Sequence, residues 1–454
     1  MLSSPSEHPC DPDARRESAV VLPTPKWLPV VVLVLFCLVT AATGFRIVND
    51  FYSSTPGVFN REDLGYFDFQ NAVYYPTEAF AEGLNPFSEA YPEKYPVERG
   101  LPLFSPLNFL LHLPFSFLPL KLSAAVYFVY SLGLVMAVSL MTLRSCKVKF
   151  HWSHVVGLGT LIMMTRAGHT TMFSGYMTLE LVLGVMFLLE YGTRRPWLGA
   201  LGLVVAGFKP TFAIPLVVLM ACRKQWTAFL LGIAIALAGL LGGLGWLASH
   251  SSWSEVVESI SSAQETHVNM EDELPENSWM RIDFLVVIAK WTEWVPGTKE
   301  HFLVMIPLLL VGGIATYLAH QRFPQDGASS LVGMIMVLTM LVSLYHQNYD
   351  LLVMVAPLVG ILISKSVSWG SVSRFSKWLL FFVGALVLTS YWSSNVVLSR
   401  IELTDFQWKL VTSLNGILLF VAYGTVVIES FLLGAKPAKG GASVEDCPDT
   451  AKQA

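Results

Sequence analysis

Few side chains in this chain have both the chemistry and the setting for a reaction, and Asp68 is the first of them. It stands at or near the start of a run with helical character, Asp68 to Gly83, beside which Phe67 and within which Ala72, Tyr75, Ala79 and Phe80 suit a membrane surface. Gly83 supplies a stop and Asn85-Pro86 a turn. A carboxylate at such a helix start caps the exposed N–H groups, or it acts as a general base within reach of an acceptor hydroxyl. Tyr74 and Tyr75 carry a similar choice, because interfacial aromatics both anchor and stack on sugars. Glu78, spaced i, i+4 from Glu82, and Asn85 are the remaining polar candidates here.

Lys209 is an ionisable residue inside the apolar stretch GLVVAGFKPTFAIPLVVLM. It snorkels, pairs with a bundle carboxylate such as Glu180, or stabilises the charge left on a departing lipid phosphate. Arg166 and His169, in MMTRAGHTTMFSGY, are further candidates near the outer end of a span. In ELPENSWMRIDFL, Asn277, Ser278 and Arg281 could hold an anionic or sugar ligand, or form a helix start against lipid headgroups. His346 and Asp350 stand at i, i+4 and share a helix face, which permits metal ligation, capping or placement at the interface. Five cysteines show no CxxC pair, so no structural metal site of that kind is expected. No Walker loop, GxSxG elbow or HExxH is present.

The elements that must position these groups are helices in a bilayer. Of the 454 residues, 54% are hydrophobic and 14% charged, and the mean hydropathy is +0.55; soluble domains carry about 25% charged residues. A net charge of -4 gives no basic excess for nucleic acid. Apolar segments of span length are Trp27 to Val48, Leu122 to Met141, Val155 to Phe173, Thr227 to Ala248, Phe302 to Leu318, Leu331 to Leu344, Trp378 to Tyr391 and Trp408 to Leu433. Met177 to Tyr191 and Leu351 to Ser364 are shorter candidates, making ten.

Basic residues at 144–149, 194–195, 223–224 and 365–377 mark cytoplasmic loops, and the long loops at 50–121 and 249–300 are acidic and fall outside. Trp197 to Met220 is flanked by bases at both ends and broken by Phe208-Lys209-Pro210. It reads as two short helices in a re-entrant hairpin. Leu101 to Leu120, with four prolines, reads as an interfacial helix. The expected organisation is a cytoplasmic tail at 1–26, whose following span is a signal anchor, a membrane domain at 27–433 and a disordered cytoplasmic tail at 434–454. Both termini are then cytoplasmic in a multi-pass protein of the cell membrane.

The ordered series FDFQNAVYYPTEAFAEGLNPF, YPVERGLPLFSPLNFLLHLPFSFLP, FSGYMTLELVLGVMFLL, GFKPTFAIPLVVLMACRKQW, ENSWMRIDFL and YHQNYDLLVMVAPL resembles glycosyltransferase family 87, of the GT-C superfamily. The resemblance implies an all-α GT-C-like bundle with juxtamembrane helices in the first outer loop. It also implies transfer of a sugar, typically mannose, from a polyprenyl-phosphate donor to a lipid or glycan acceptor, with no further cofactor. The family's loop carboxylate, usually taken as the base, maps onto Asp68, and its Lys-Pro onto Lys209-Pro210. Arg166, His169 and Arg281 then join Lys209 as donor-phosphate or lipid contacts, and Tyr74, Tyr75, Glu78, Asn85, Asn277, His346 and Asp350 become acceptor or sugar contacts. The family's Asn-Gln-Ser is matched only in part by Glu276-Asn277-Ser278, and its Gly-Gln is Gly175-Tyr176. Competing readings are a flippase for lipid-linked sugars and an oligosaccharide polymerase or ligase fed by a lipid diphosphate.

Overall fold

The computed structural model describes residues 19–53, 66–97, 99–101 and 104–435. The tails at 1–18 and 436–454, with Arg61, Glu62, Asp63 and Glu98 of the first acidic loop, lie outside the described residues. In chain order come α1 (Leu28–Ser53), a π-helical turn (Phe69–Tyr74) running into α2 (Tyr75–Ala81), α3 (Ala90–Lys94), α4 (Pro106–Ser116), α5 (Leu120–Ser145), α6 (Trp152–Met164), α7 (Arg166–Ser174), α8 (Thr178–Tyr191), α9 (Pro196–Ala206) and α10 (Pro210–Cys222). There follow α11 (Trp226–His250), α12 (Trp253–Val268), α13 (Phe284–Thr292), α14 (Thr298–Arg322) and α15 (Leu331–Ser343). A 3-10 turn (Asn348–Met354) leads into α16 (Val355–Ile363), then α17 (Val367–Ser371), α18 (Arg374–Leu388), α19 (Asn395–Leu398) and α20 (Asp405–Ala435).

Among the described residues α1, α5, α11, α14, α18 and α20 are long and apolar enough to cross a membrane. The other four expected spans coincide with shorter pieces: α6 with α7, α8, α15, and the 3-10 turn with α16. An all-helical chain is what a bilayer demands, because only a helix satisfies its backbone within one segment. Every residue of α15 is buried, so this all-round apolar helix forms the centre of the bundle. Most of α1 is exposed and faces lipid.

The third expected span is not one helix. α6 ends at Thr165, whose hydroxyl accepts from the Gly168 N–H at 3.0 Å and starts α7. A Cβ on Gly168 would lie 1.9 Å from the Ile162 carbonyl oxygen, so only glycine allows this break. Trp197 to Met220 does form two short helices, α9 and α10, folded back as a hairpin. At its open end Arg223 gives Nη1 to the Leu189 carbonyl at 2.8 Å and Gln225 gives Nε2 to the Thr193 hydroxyl at 3.2 Å, so α10 ends beside the start of α9. At its tip Gly207 and the extended Lys209 separate the helices, and Pro210 opens α10.

The molecule is two-faced. On one face Val20 bridges Val148, Ser145 gives its hydroxyl to Glu190 at 2.7 Å, Arg194 reaches the Gln325 carbonyl at 2.7 Å and Arg322 the Leu433 carbonyl at 2.7 Å. The basic loops and both ends of the described chain therefore gather there. On the other, Trp246 gives Nε1 to the Phe80 carbonyl at 2.9 Å and Arg99 meets His267 at 3.0 Å, which joins the two acidic loops.

Candidate active site

The hairpin tip carries Lys209 to the acidic-loop face, where its Nζ lies 2.7 Å from Asp350 Oδ2, both side chains buried. The expected partner Glu180 is instead 2.9 Å from His112 Nε2. The reason is geometric. Glu180 sits in the first turn of α8 against α4, whereas Asp350 is turned inward by a capping box with Gln347, whose N–H it accepts at 3.0 Å. His346 Nδ1 meets the same oxygen at 3.0 Å. Capping and ion pairing thus occupy Asp350 together, and His346, edge-on to Phe212 at 4.9 Å, is buried rather than interfacial.

Four rings surround the Lys209 ammonium: Tyr349 at 5.3 Å, Phe212 at 5.6 Å, and Tyr176 and Tyr345 both at 5.7 Å. Ring faces and a carboxylate thus surround the ammonium where water is scarce. One of its three N–H bonds goes to Asp350. Among the described residues the other two meet no acceptor.

Arg281 also stands against Tyr345, its guanidinium 4.7 Å from the ring. Two backbone bonds place it there: Ile282 N–H to the His346 carbonyl and Asn348 N–H to the Met280 carbonyl, both 3.0 Å. Arg281 is held bidentate by Asp283 at 3.1 and 3.2 Å. Tyr345 donates its hydroxyl to Glu273 at 2.8 Å and packs against His267, with ring centroids 6.2 Å apart. Burial lowers the His267 pKa. Glu273 opposes that, but Arg99, Arg281 and Lys209 reinforce it. Three cations therefore share one locality, a setting for an anion.

Asp68 makes no capping hydrogen bond, so the cap reading fails; its backbone is already helical where a cap's is extended. It is half-buried. Tyr66 and Phe69 on either side of it press on Gly175, where a Cβ would lie 2.6 Å from both side chains and φ is +73°. Gly175 thus brings the Asp68 turn against Tyr176, which stacks on Tyr349 at 4.8 Å. Burial, then the charges of Asp350 and Asp68, raise the Tyr176 pKa, so both carboxylates act on one phenol.

The remaining expected residues lie apart from this cluster. Arg166 is buried and donates to the Ser390 and Ser393 carbonyls at 2.7 and 2.8 Å. His169 meets Arg46 at 3.2 Å, towards α1. Tyr74 gives its hydroxyl to the Leu118 carbonyl at 2.9 Å, and Tyr75 packs on Tyr95 at 5.6 Å. Glu78 is half-buried, and desolvation followed by Glu82 raises its pKa. Asn85 Oδ1 accepts the Phe87 N–H at 3.1 Å, and Asn277 is exposed. The residues that sequence reasoning missed are Tyr176, His267, Glu273, Tyr345 and Tyr349. The one local signal was the i, i+4 tyrosine pair 345 and 349 beside His346 and Asp350. Among the described residues no group of three or more His, Cys, Asp or Glu could hold a metal ion.

Behind Arg281, Lys290 of α13, a helix too short to span, gives Nζ to the Ser278 carbonyl and to Thr412 Oγ1 at 2.8 Å. A neutral amine has the two hydrogens this needs. Burial, helped by Arg281 and opposed by Asp283, lowers its pKa to about 7. The unfolded side chain titrates near ~10.4, so between the two values the unfolded chain binds the extra proton. Stability should fall as pH is lowered from about 10 to about 7 and change no further below. Lys290→Met should flatten that slope in thermal unfolding from pH 7 to 9, and equal slopes would contradict the shift.

No curated protein and no solved structure matches the chain. Residues 103–344 match glycosyltransferase family 87, and that stretch holds the hairpin with Lys209, the Gly175-Tyr176 turn and the Arg281 segment. Asp68 precedes it, and Tyr345, Tyr349 and Asp350 follow it directly. Since the match covers more than half of the 454 residues, this all-helical, multi-pass membrane protein belongs to glycosyltransferase family 87.

Proposed function

We propose that this glycosyltransferase moves a sugar, mannose by family resemblance, from a polyprenyl-phosphate donor to a lipid or glycan acceptor at the extracytoplasmic face of the cell membrane. The observation that carries the reading is the placement of the Lys209 ammonium, ringed by three tyrosines, beside Arg281 on the acidic-loop face. Lys209 and Arg281 there neutralise the departing phosphate as the bond from C1 to its oxygen breaks. Asp68 takes the proton of the acceptor hydroxyl while that oxygen attacks C1 from the opposite side, inverting the anomeric centre. Tyr176, Tyr345 and Tyr349 offer ring faces to the sugar.

A lipid-borne donor also suits the surroundings. Beside α4 runs an apolar groove of about 570 Å³, lined by Leu110, Leu113, Phe117, Gly239 and Trp246 among others. The positive-inside rule supports a cytoplasmic basic-loop face, which carries both described ends of the chain. The purified protein in vesicles should transfer label from polyprenyl-phosphate mannose to an extracted lipid or glycan acceptor. Transfer from a lipid diphosphate donor instead would favour a ligase, and lipid translocation without bond formation would favour a flippase.

A further inference from the structure

Three contacts of α4 lead to the three segments that build the site. Ser105, at its start, gives its N–H to the Phe208 carbonyl at 3.3 Å, one residue before Lys209. Asn108 gives Nδ2 to the Ala72 carbonyl at 3.1 Å, in the turn that follows Asp68. His112 reaches Glu180 at 2.9 Å, four residues past Tyr176. Asn108 and His112 are fully buried and Glu180 nearly so.

The His112 contacts fix its proton count. Nδ1 lies 2.8 Å from the Asn108 carbonyl, which only accepts, so Nδ1 carries a hydrogen. Nε2 faces a carboxylate, so the pair holds one more proton, on the imidazole or on the carboxyl. Tyr127 at 5.9 Å, Phe115 at 6.0 Å and Phe208 at 6.5 Å enclose the ring, with the Tyr127 hydroxyl donating to the same Glu180 oxygen at 3.5 Å; well-packed apolar side chains of similar volume are often as stable in the place of a buried ion pair. What apolar side chains lack is direction. A hydrogen bond along one line sets the rotation and slide of α4 against α8.

We propose that α4 is the strut that sets Asp68 against Lys209, and that His112 and Glu180 are its positioning residues. The proposal rests on the glycosyltransfer reading above, and its own test is a stable variant whose geometry is loosened. The full chain carrying His112→Phe and Glu180→Leu keeps the site residues and removes the directed bond. Its melting temperature should stay near the wild-type value while kcat falls by about 10²-fold, with KM for the donor lipid within about 2-fold. Glu180→Gln restores a neutral bond of the same shape, the amide donating to unprotonated Nε2, and should recover most of kcat.

Full kcat in the folded double variant overturns the proposal and leaves the function standing. If the double variant does not accumulate, Glu180→Leu and Glu180→Gln decide, since both remove the charge and only Gln keeps the bond. About tenfold higher kcat for Gln supports the strut, and equal values overturn it. A wild-type protein that transfers nothing from polyprenyl-phosphate sugars overturns the function reading, and the strut with it.

Discussion

Membranes carrying Lys209→Met are expected to transfer sugar at about 1% of the wild-type rate or less, the loss typical when one preorganised donor to a developing anion is removed. The ammonium sits at the tip of a broken hairpin with Tyr349, Phe212, Tyr176 and Tyr345 within 5.7 Å. A departing phosphate gains charge in a place with little water to stabilise it. The same substitution strands Asp350, fully buried and 2.7 Å from the lost ammonium, and leaving one partner of a buried pair alone costs about 3–5 kcal/mol. Two effects are therefore mixed in the single variant, and Lys209→Met with Asp350→Asn separates them. The double variant should regain most of the melting temperature in detergent, because an amide needs no counter-charge. It should not regain transfer. If single-turnover transfer returned along with stability, Lys209 would be only the counter-ion of Asp350.

Asp68→Asn should lower kcat by about 10²–10⁴-fold, the usual contribution of a positioned base. Asp68 forms no capping hydrogen bond, so the roughly 1 kcal/mol that a cap contributes is no part of the loss. Full activity in Asp68→Asn, measured as label passed from polyprenyl-phosphate mannose, would move the base elsewhere, and Glu273 beside Tyr345 would be next to test.

Much of the architecture could be read before any coordinates. A span is a local property, a run of apolar residues of a certain length, and the positions of α1, α5, α11, α14, α18 and α20 follow from it. The hairpin was legible for a similar reason, since bases at both ends and Lys209-Pro210 in the middle are incompatible with one crossing. The break at Thr165 was not, because Gly168 marks it only through a close approach to the Ile162 carbonyl. Asp68 drew attention as a cap, and its freedom from that duty appears only once the backbone around it is known to be helical already.

The chain's amino-acid order determined that this protein lives in a membrane, that its bases and acids face opposite ways, and which few ionisable residues are left at depth. Hydropathy and charge act on each segment separately, so they need no knowledge of partners. Which of those residues meet was decided by the tertiary structure alone. Lys209 and Asp350 are 141 positions apart and His112 and Glu180 are 68, and nothing local distinguishes those pairings from Lys209 with Glu180. The choice came from packing. The hairpin tip and the capping box at Gln347 bring Lys209 to 2.7 Å from Asp350, the backbone pairing of 280–282 with 346–348 sets Arg281 against Tyr345, and α4 claims Glu180 for itself.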